Sequence, residues 1–201
     1  MNSPHTDNLK LIYNMKYYLL FGPPGAGKGT QAKLMVEKHN YHHVSTGDLL
    51  RQEIAKGSEL GKIAKQLIDN GNFVDDSIVV EMIKNEIANN PGVTGFLFDG
   101  FPRTVAQAEI LDKMLEERGE KVETVISIII SDALVFERIQ HRANIEGRKD
   151  DAQPEIIQNR INTYHAKTEP LIEYYTKQGK YHKIDGDGTI EAIFARIEEL
   201  L

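Results

Sequence analysis

The sequence predicts an α/β domain whose core is a parallel sheet wrapped by helices. Three observations carry that prediction. Short apolar runs recur over residues 17–21, 41–44, 96–98, 125–130 and 181–184, and several are near-continuous in hydrophobicity, as strands buried on both faces are. Helical patterns lie between them, over 31–38, 77–88, 106–117 and 133–141, and such alternation is the signature of strand–helix–strand units. Polar or glycine-rich stretches follow each run: GPPGAGKGT after Phe21, STGD after Val44, DGFPR after Phe98, SDALVFER after Ile130 and DGDG after Ile184. Ligands of open parallel sheets bind at the carboxyl ends of the strands, so five ends deliver their chemistry to one edge.

Composition narrows the function classes. With 201 residues the chain suits one domain, and 40% hydrophobic and 27% charged residues are ordinary for a globular chain. Residues 1–14 are polar and aperiodic until Leu11-Ile12-Tyr13, and are expected to lie outside a domain spanning 15–201. They lack the basic start and apolar stretch of a secretory signal, and nowhere is there an apolar run of the roughly 20 residues needed to cross a bilayer. The absence of cysteine excludes disulfides and thiolate metal sites. A cytoplasmic protein that engages no membrane fits these features. A net charge of −6 argues against a broad nucleic-acid-binding surface, and no apolar helix stripe asks for a partner subunit, so a monomer is expected. Four of the eight arginines (Arg138, Arg142, Arg148 and Arg160) nonetheless fall in one short stretch. Such a cluster is either a solvated helix face or a clamp for phosphate, since the guanidinium is a planar fork of donors.

The first polar stretch is the most specific. Gly22 to Thr30 follows an apolar run and opens a helical pattern. Glycines let consecutive N–H groups turn inward on a phosphate beside a helix N-terminus. Gly25, Ala26, Gly27, Lys28, Gly29 and Thr30 therefore form a candidate phosphate loop, with Lys28 as the cation for the β- and γ-phosphates. Thr30 is the candidate metal-side hydroxyl, although Gly29 stands between it and the lysine, where the general pattern puts Ser or Thr. Asp99 ends a buried apolar run, where a carboxylate is costly without a cation or a metal's water shell. It is a candidate to hold Mg²⁺ through water, or else a cap for the next turn. Arg103 follows on the same loop and is a candidate phosphate ligand.

Together these stretches resemble the adenylate kinase branch of the nucleoside monophosphate kinases. The similarity runs through FGPPGAGKGTQA (21–32), HVSTGDLLR (43–51), GNFVDDSIV (71–79) and FDGFPRTVAQAE (98–109). It continues in FERIQHR (136–142), GRKDD (147–151), NRINTYHAKTEPLIEYY (159–175) and IDGDGTI (184–190). The resemblance implies a P-loop NTPase fold: a five-stranded parallel sheet flanked by helices, with a monophosphate-binding segment near 45–74 and a short lid near 141–151. It implies phosphoryl transfer from MgATP to AMP, giving two ADP, with no protein zinc site. Gly25–Thr30, Arg138, Arg142 and Gly188 would bind ATP. Thr46, Arg51, Asn72, Phe73, Val74, Gly100, Phe101, Pro102, Arg103, Gln107, Arg148 and Arg160 would surround AMP. Lys28, Arg103, Arg142, Arg148 and Arg160 would stabilise the group in transfer.

The chemistry asks for little else. The acceptor is a phosphate oxygen whose second pKa is about 6, so it needs no general base, and no Ser/His/Asp or paired-carboxylate arrangement is found. Several of these residues have a structural alternative. Thr104-x-x-Gln107 is a capping-box pattern as well as a base-reading pair. Ser45-x-x-Asp48 reads as a helix start, with Arg51 the i,i+3 partner of Asp48. Asp150 and Asp151 fit a helix N-terminus before Pro154, and could equally orient lid arginines. His39, His42 and His43 read as surface or satisfied residues, and Tyr164, Tyr174 and Tyr175 as packing. A UMP/CMP kinase is the nearest alternative; relatives of that kind usually carry alanine at the Thr46 position and asparagine at Thr104, so Thr46, Thr104 and Gln107 favour adenine. A P-loop ATPase or nucleotide-sensing module would need no second arginine cluster.

Overall fold

β1 (Lys16–Phe21) occupies the centre of a five-stranded sheet of order β2-β3-β1-β4-β5, all of whose pairings are parallel. The computed structural model describes residues 15–146, 151 and 153–201. The other strands are β2 (His42–Ser45), β3 (Gly95–Asp99), β4 (Val122–Ile129) and β5 (Tyr181–Asp185). Every predicted strand is present. β4 begins earlier than expected, because Glu123 alternates with the buried Val122 and Thr124 and interrupts the apolar run there.

The near-continuous hydrophobicity of β1 follows from burial on both faces. Tyr17, Leu19 and Phe21 point into one core, shared with Phe96 and Phe98 of β3; Tyr18 and Leu20 point into the other. The first layer holds α4 (Asp76–Asn89), α5 (Val105–Glu116) and α8 (Pro170–Thr176), through residues such as Ile83, Leu111 and Leu171. The opposite layer holds α1 (Lys28–His39) and α9 (Ile190–Glu198), through Ala32, Met35, Ile193 and Ile197. A third cluster joins α6 (Asp132–Glu146) to α7 (Pro154–Thr163) by Val135, Ile139, Ile157 and Ile161.

This topology positions the site. The chain leaves β1 through α1 on one face and leaves β3 through α5 on the other. The crevice between two such loops is where ligands of open α/β sheets bind. Leu20 is in register with Asp99, so the loop after β1 and the loop after β3 emerge side by side.

Two helices stand apart from the sheet, α2 (Thr46–Lys56) and α3 (Glu59–Ile68), and they pack on one another. Leu50 and Ala64 reach the core that α4 and α5 share, with Leu49, Ile54, Leu67 and Ile68 packed against it; of the two helices only the start at Ser45 is read from the sequence. Both are capped: Ser45 Oγ accepts from the Asp48 N–H at 3.3 Å, as the sequence suggests, and Ser58 Oγ from the Gly61 N–H at 3.0 Å. Gly61 is required by proximity. A Cβ there would lie 2.1 Å from the Glu53 carbonyl oxygen, and backbone cannot yield as a side chain can. Gly61→Ala is therefore expected to force α2 and α3 apart and cost about 1–3 kcal/mol. Thermal unfolding should show a lowered melting temperature; an unchanged one would mean the contact is relaxed at no cost.

Candidate active site

The glycine-rich loop turns from β1 into α1 with backbone angles that only glycine adopts comfortably. Gly22 has φ +140°, and a Cβ there would meet the Ile128 carbonyl oxygen at 2.4 Å. The helix that follows begins without a side-chain cap. α2, α3, α4, α5 and α9 each have one, from Ser45, Ser58, Asp75, Thr104 and Thr189, while α7 and α8, which also lack one, open on proline. α1 starts at Gly27, which has no side chain to cap with. Its first N–H groups and its partial positive charge are thus presented to the cleft, the arrangement that binds phosphate.

Lys28 Nζ donates to the carbonyls of Gly22 at 2.9 Å and Pro23 at 3.0 Å. Burial lowers its pKa to about 8; Asp99 opposes the fall, while Arg103, Arg142 and Arg160 add to it. Asp99 ends β3 against the loop, its Oδ2 lying 3.8 Å from where a Cβ on Gly29 would stand. Thr30 is exposed in the first turn of α1.

The loop after β3 carries Arg103. Its Nε donates to the Gly100 carbonyl at 2.7 Å, its guanidinium lies 5.1 Å from the Phe73 ring centroid, and Thr168 Oγ1 donates to its backbone carbonyl at 2.9 Å. Thr46 Oγ1 donates to the same Gly100 carbonyl at 2.7 Å. Burial and the neighbouring Arg160 bring the Arg103 pKa down to about 10, with Asp99 opposing and Arg51 adding. Like charges are gathered here at a cost, and a polyanion is the ligand that offsets it.

One cleft is lined by Lys28, Thr46, Arg51, Asn72, Phe73, Val74, Gly100, Pro102, Arg103, Gln107 and Arg160, all predicted from the sequence. Phe101 does not line it: the side chain turns into the core against Phe98, with ring centroids 6.0 Å apart. Arg148 and Asp150 lie outside the described residues, as does most of the GRKDD stretch. Arg138 donates to the carbonyls of Ala26 at 3.4 Å and Gly186 at 3.0 Å, tying the phosphate loop to the turn after β5. Gly188 is exposed on that turn.

The structural alternatives also have substance. Arg51 Nη2 donates to Asp48 Oδ1 at 2.5 Å while lining the cleft. Thr104 caps α5, accepting from the Gln107 N–H at 3.2 Å, but the Gln107 side chain reaches the Arg103 N–H at 2.7 Å and not that of Thr104. Asp151 is fully buried and accepts from Arg142 Nε at 2.6 Å and Nη2 at 2.9 Å; Arg160 Nη1 donates to it as well. It orients both arginines. His39 and His42 pair with Glu198 at 2.6 Å and Glu86 at 3.1 Å, as satisfied residues. His43 departs from that expectation: Nε2 is buried without a hydrogen-bond partner, 3.9 Å from Asp99 Oδ2.

Sequence reasoning missed several lining residues. Leu50, Ile68, Val79 and Tyr164 supply the apolar wall, and nothing in a local pattern separates such residues from ordinary core. Asp76 was also missed; it accepts from Thr104 Oγ1 at 2.8 Å and Gln107 Nε2 at 2.7 Å.

A parallel sheet, an uncapped helix behind a glycine loop, and a cation-lined cleft beside it define a P-loop protein that handles phosphorylated ligands. A family model for adenylate kinase matches residues 20–180. The adenylate kinase of Caulobacter vibrioides is 48% identical over 91% of this chain and 95% of its own. That of Flavobacterium psychrophilum is 44% identical over 91% and 96%, and that of a Synechococcus strain 47% identical over 93% and 100%. The chain belongs to the adenylate kinase family.

The depressed pKa of Lys28 has a measurable consequence. An arriving polyphosphate favours the ammonium, so its pKa rises on binding and a proton is taken up. At pH 8 about half of the Lys28 population is neutral when its pKa is about 8. Calorimetry of a non-hydrolysable ATP analogue in buffers of different ionisation enthalpy should show uptake of roughly half a proton at pH 8, shrinking toward pH 7. Uptake of the same size in Lys28→Met would show that another group is responsible.

Proposed function

We propose that this cleft performs the transfer of the terminal phosphoryl group from ATP to AMP, giving two ADP, with the residues named below in their roles. The chain is an ATP:AMP phosphotransferase by family. The observation that carries the assignment of roles is the convergence of Lys28, Arg51, Arg103 and Arg160 on one cleft beside an uncapped helix N-terminus.

In this reading Gly25–Thr30 hold the ATP phosphates, with Lys28 on the β- and γ-groups. Arg51 and Arg103 hold the AMP phosphate. Arg160 and Arg142, oriented by Asp151, face the group in transfer, and Arg148 joins them from the lid. Thr46, Asn72, Phe73, Val74, Gly100, Pro102 and Gln107 surround AMP, while Arg138 and Gly188 lie on the side of the ATP base. Phosphoryl transfer needs positioning and charge stabilisation more than covalent help, and cations that meet the equatorial oxygens lower the barrier most. The acceptor oxygen is already deprotonated near neutral pH, so no side chain takes a proton from it.

The donor set fits Mg²⁺ brought in on ATP. Among the described residues no group of three His, Cys, Asp or Glu side chains could hold a metal by itself, and Mg²⁺ commonly keeps its waters and binds through phosphates and one or two carboxylates. Asp99, beside Gly29, would hold it through water, and Thr30 could contribute its hydroxyl. Bound there, the ion would supply charge neutralisation to the ATP phosphates.

Residues 45–74 serve in this reading as the monophosphate-binding segment and 141–151 as a short lid, within one domain of residues 15–201. Closure would bring Arg142 and Arg148 in while excluding water, which protects ATP from hydrolysis; a lid of this kind in adenylate kinase is a standard example of such gating. We place the protein in the cytoplasm as a monomer. Supporting this, no described helix is long and apolar enough to cross a membrane, and the exposed large apolar residues Ile63, Ile110, Ile145 and Ile190 are scattered.

The test is ADP formation with ATP alone and with ATP plus each monophosphate. Turnover should depend on the monophosphate and favour AMP over UMP, CMP and GMP; equal turnover with ATP alone would overturn the reading in favour of an ATPase. Lys28→Met should lower kcat by about 10³-fold or more, with circular dichroism unchanged. Near-normal turnover in that variant would remove Lys28 from its role.

A further inference from the structure

We propose that Asp76, which stands behind the cleft wall, selects a 6-amino purine monophosphate over its 6-oxo counterpart by fixing which way the Gln107 amide faces. The inference rests on the reading of Gln107 as the residue that contacts the acceptor base. Gln107 is 2% exposed and lines the cleft. Its Oε1 accepts from the Arg103 backbone N–H at 2.7 Å, and its Nε2 donates to Asp76 Oδ1 at 2.7 Å. Oxygen and nitrogen of an amide have nearly the same shape, so the partners must decide between the two orientations. Here they decide it without ambiguity. A backbone N–H can only donate and a carboxylate can only accept, so a reversed amide would set donor against donor and acceptor against acceptor.

Asp76 is itself held. Its second oxygen accepts from Thr104 Oγ1 at 2.8 Å, and that same hydroxyl caps α5 by accepting from the Gln107 N–H at 3.2 Å. The carboxylate also sits in the first turn of α4, where the helix field favours negative charge. The amide is therefore set by a closed loop of bonds joining the starts of α4 and α5.

The fixed amide still has one lone pair on Oε1 and one hydrogen on Nε2 for a ligand. Adenine presents an amino donor at position 6 beside the N1 acceptor. Hypoxanthine presents the reverse, a carbonyl acceptor at position 6 beside an N1–H donor. A given amide orientation matches one of these edges and opposes the other. A site built to hydrogen-bond a polar group discriminates strongly against a ligand that leaves it mispaired. Selection between the two purines is then carried by Asp76, through Gln107, without Asp76 touching the base.

The experiment compares kcat/KM for AMP and for inosine monophosphate, with ATP as donor, in the wild type and three variants. Asp76→Leu is close in shape and accepts no hydrogen bond; it should lower the AMP-to-IMP ratio by about tenfold or more. Asp76→Asn can keep its carbonyl toward Gln107 Nε2 while its amide nitrogen donates to the Thr104 hydroxyl, and should stay within about threefold of the wild-type ratio. Gln107→Leu should collapse the ratio outright. If Gln107→Leu collapses it and Asp76→Leu does not, the base contact stands and the role of Asp76 is wrong. If Asp76→Leu lowers AMP and IMP turnover by the same factor, or if Asp76→Asn behaves like Asp76→Leu, Asp76 serves only structure or charge and the proposal is overturned. A ratio unmoved in Gln107→Leu would overturn the base contact and the inference together. Should Asp76→Leu fail to fold, Asp76→Ala is expected to give the same loss of ratio, and retention of the wild-type ratio there would overturn the proposal.

Discussion

Cations gathered in and beside one cleft repel one another, and two carboxylates help to hold them there. Lys28, Arg103, Arg142 and Arg160 stand close enough that the three arginines all depress the Lys28 pKa, and Arg160 depresses that of Arg103. Two carboxylates oppose this. Asp99 acts from the end of β3, and Asp151 takes both Arg142 and Arg160 in one fully buried carboxylate. Two polyanionic substrates complete the balance. The electrostatic cost of the ligand-free cleft is the counterpart of its affinity for phosphate.

The sheet order makes that crowding possible. Placing β3 beside β1 brings the phosphate loop and the DGFPR loop to adjacent positions, and the two layers of helices lock each strand from both faces. Anchors then reach the site from distant parts of the chain. Thr168 holds the Arg103 carbonyl across 65 residues, and Asn159 donates to the Asn70 carbonyl at 2.7 Å, tying α7 to the segment that carries Asn72 and Phe73. Hydrogen bonds between distant elements thus hold the loop of Arg103 and the segment of Asn72 and Phe73 in place beside the sheet.

Several residues prove to be both structural and suited to a ligand, and their two roles are not in competition. Arg51 pairs with Asp48 and lines the cleft. Thr104 caps α5 and grips Asp76. Gln107 reaches back to a backbone N–H near its helix start, one residue earlier than a capping box requires, and still faces the cleft. A polar group buried beside a binding site must be satisfied before the ligand arrives, so the bonds that satisfy it also aim it.

The strands, the phosphate loop and the cationic character of the site can be read from the chain alone, because each is written in local pattern. Burial on both faces makes apolar runs, the loop needs its glycines at fixed spacing, and phosphate recognition needs Lys and Arg. Lys28 and Arg103 were legible for that reason, while Thr46, Arg51, Asn72, Phe73, Val74, Gly100, Pro102, Gln107 and Arg160 were expected in the cleft by resemblance to the adenylate kinase family. Tertiary contacts alone reveal that Phe101 turns into the core, that Asp151 joins Arg142 to Arg160, that His43 Nε2 is buried without a hydrogen-bond partner, and that Asp76 bonds to Gln107. The physical reason is common to all four. Hydrogen bonds and ion pairs across a sheet edge or between helix starts depend on which elements become neighbours, and no local periodicity records that.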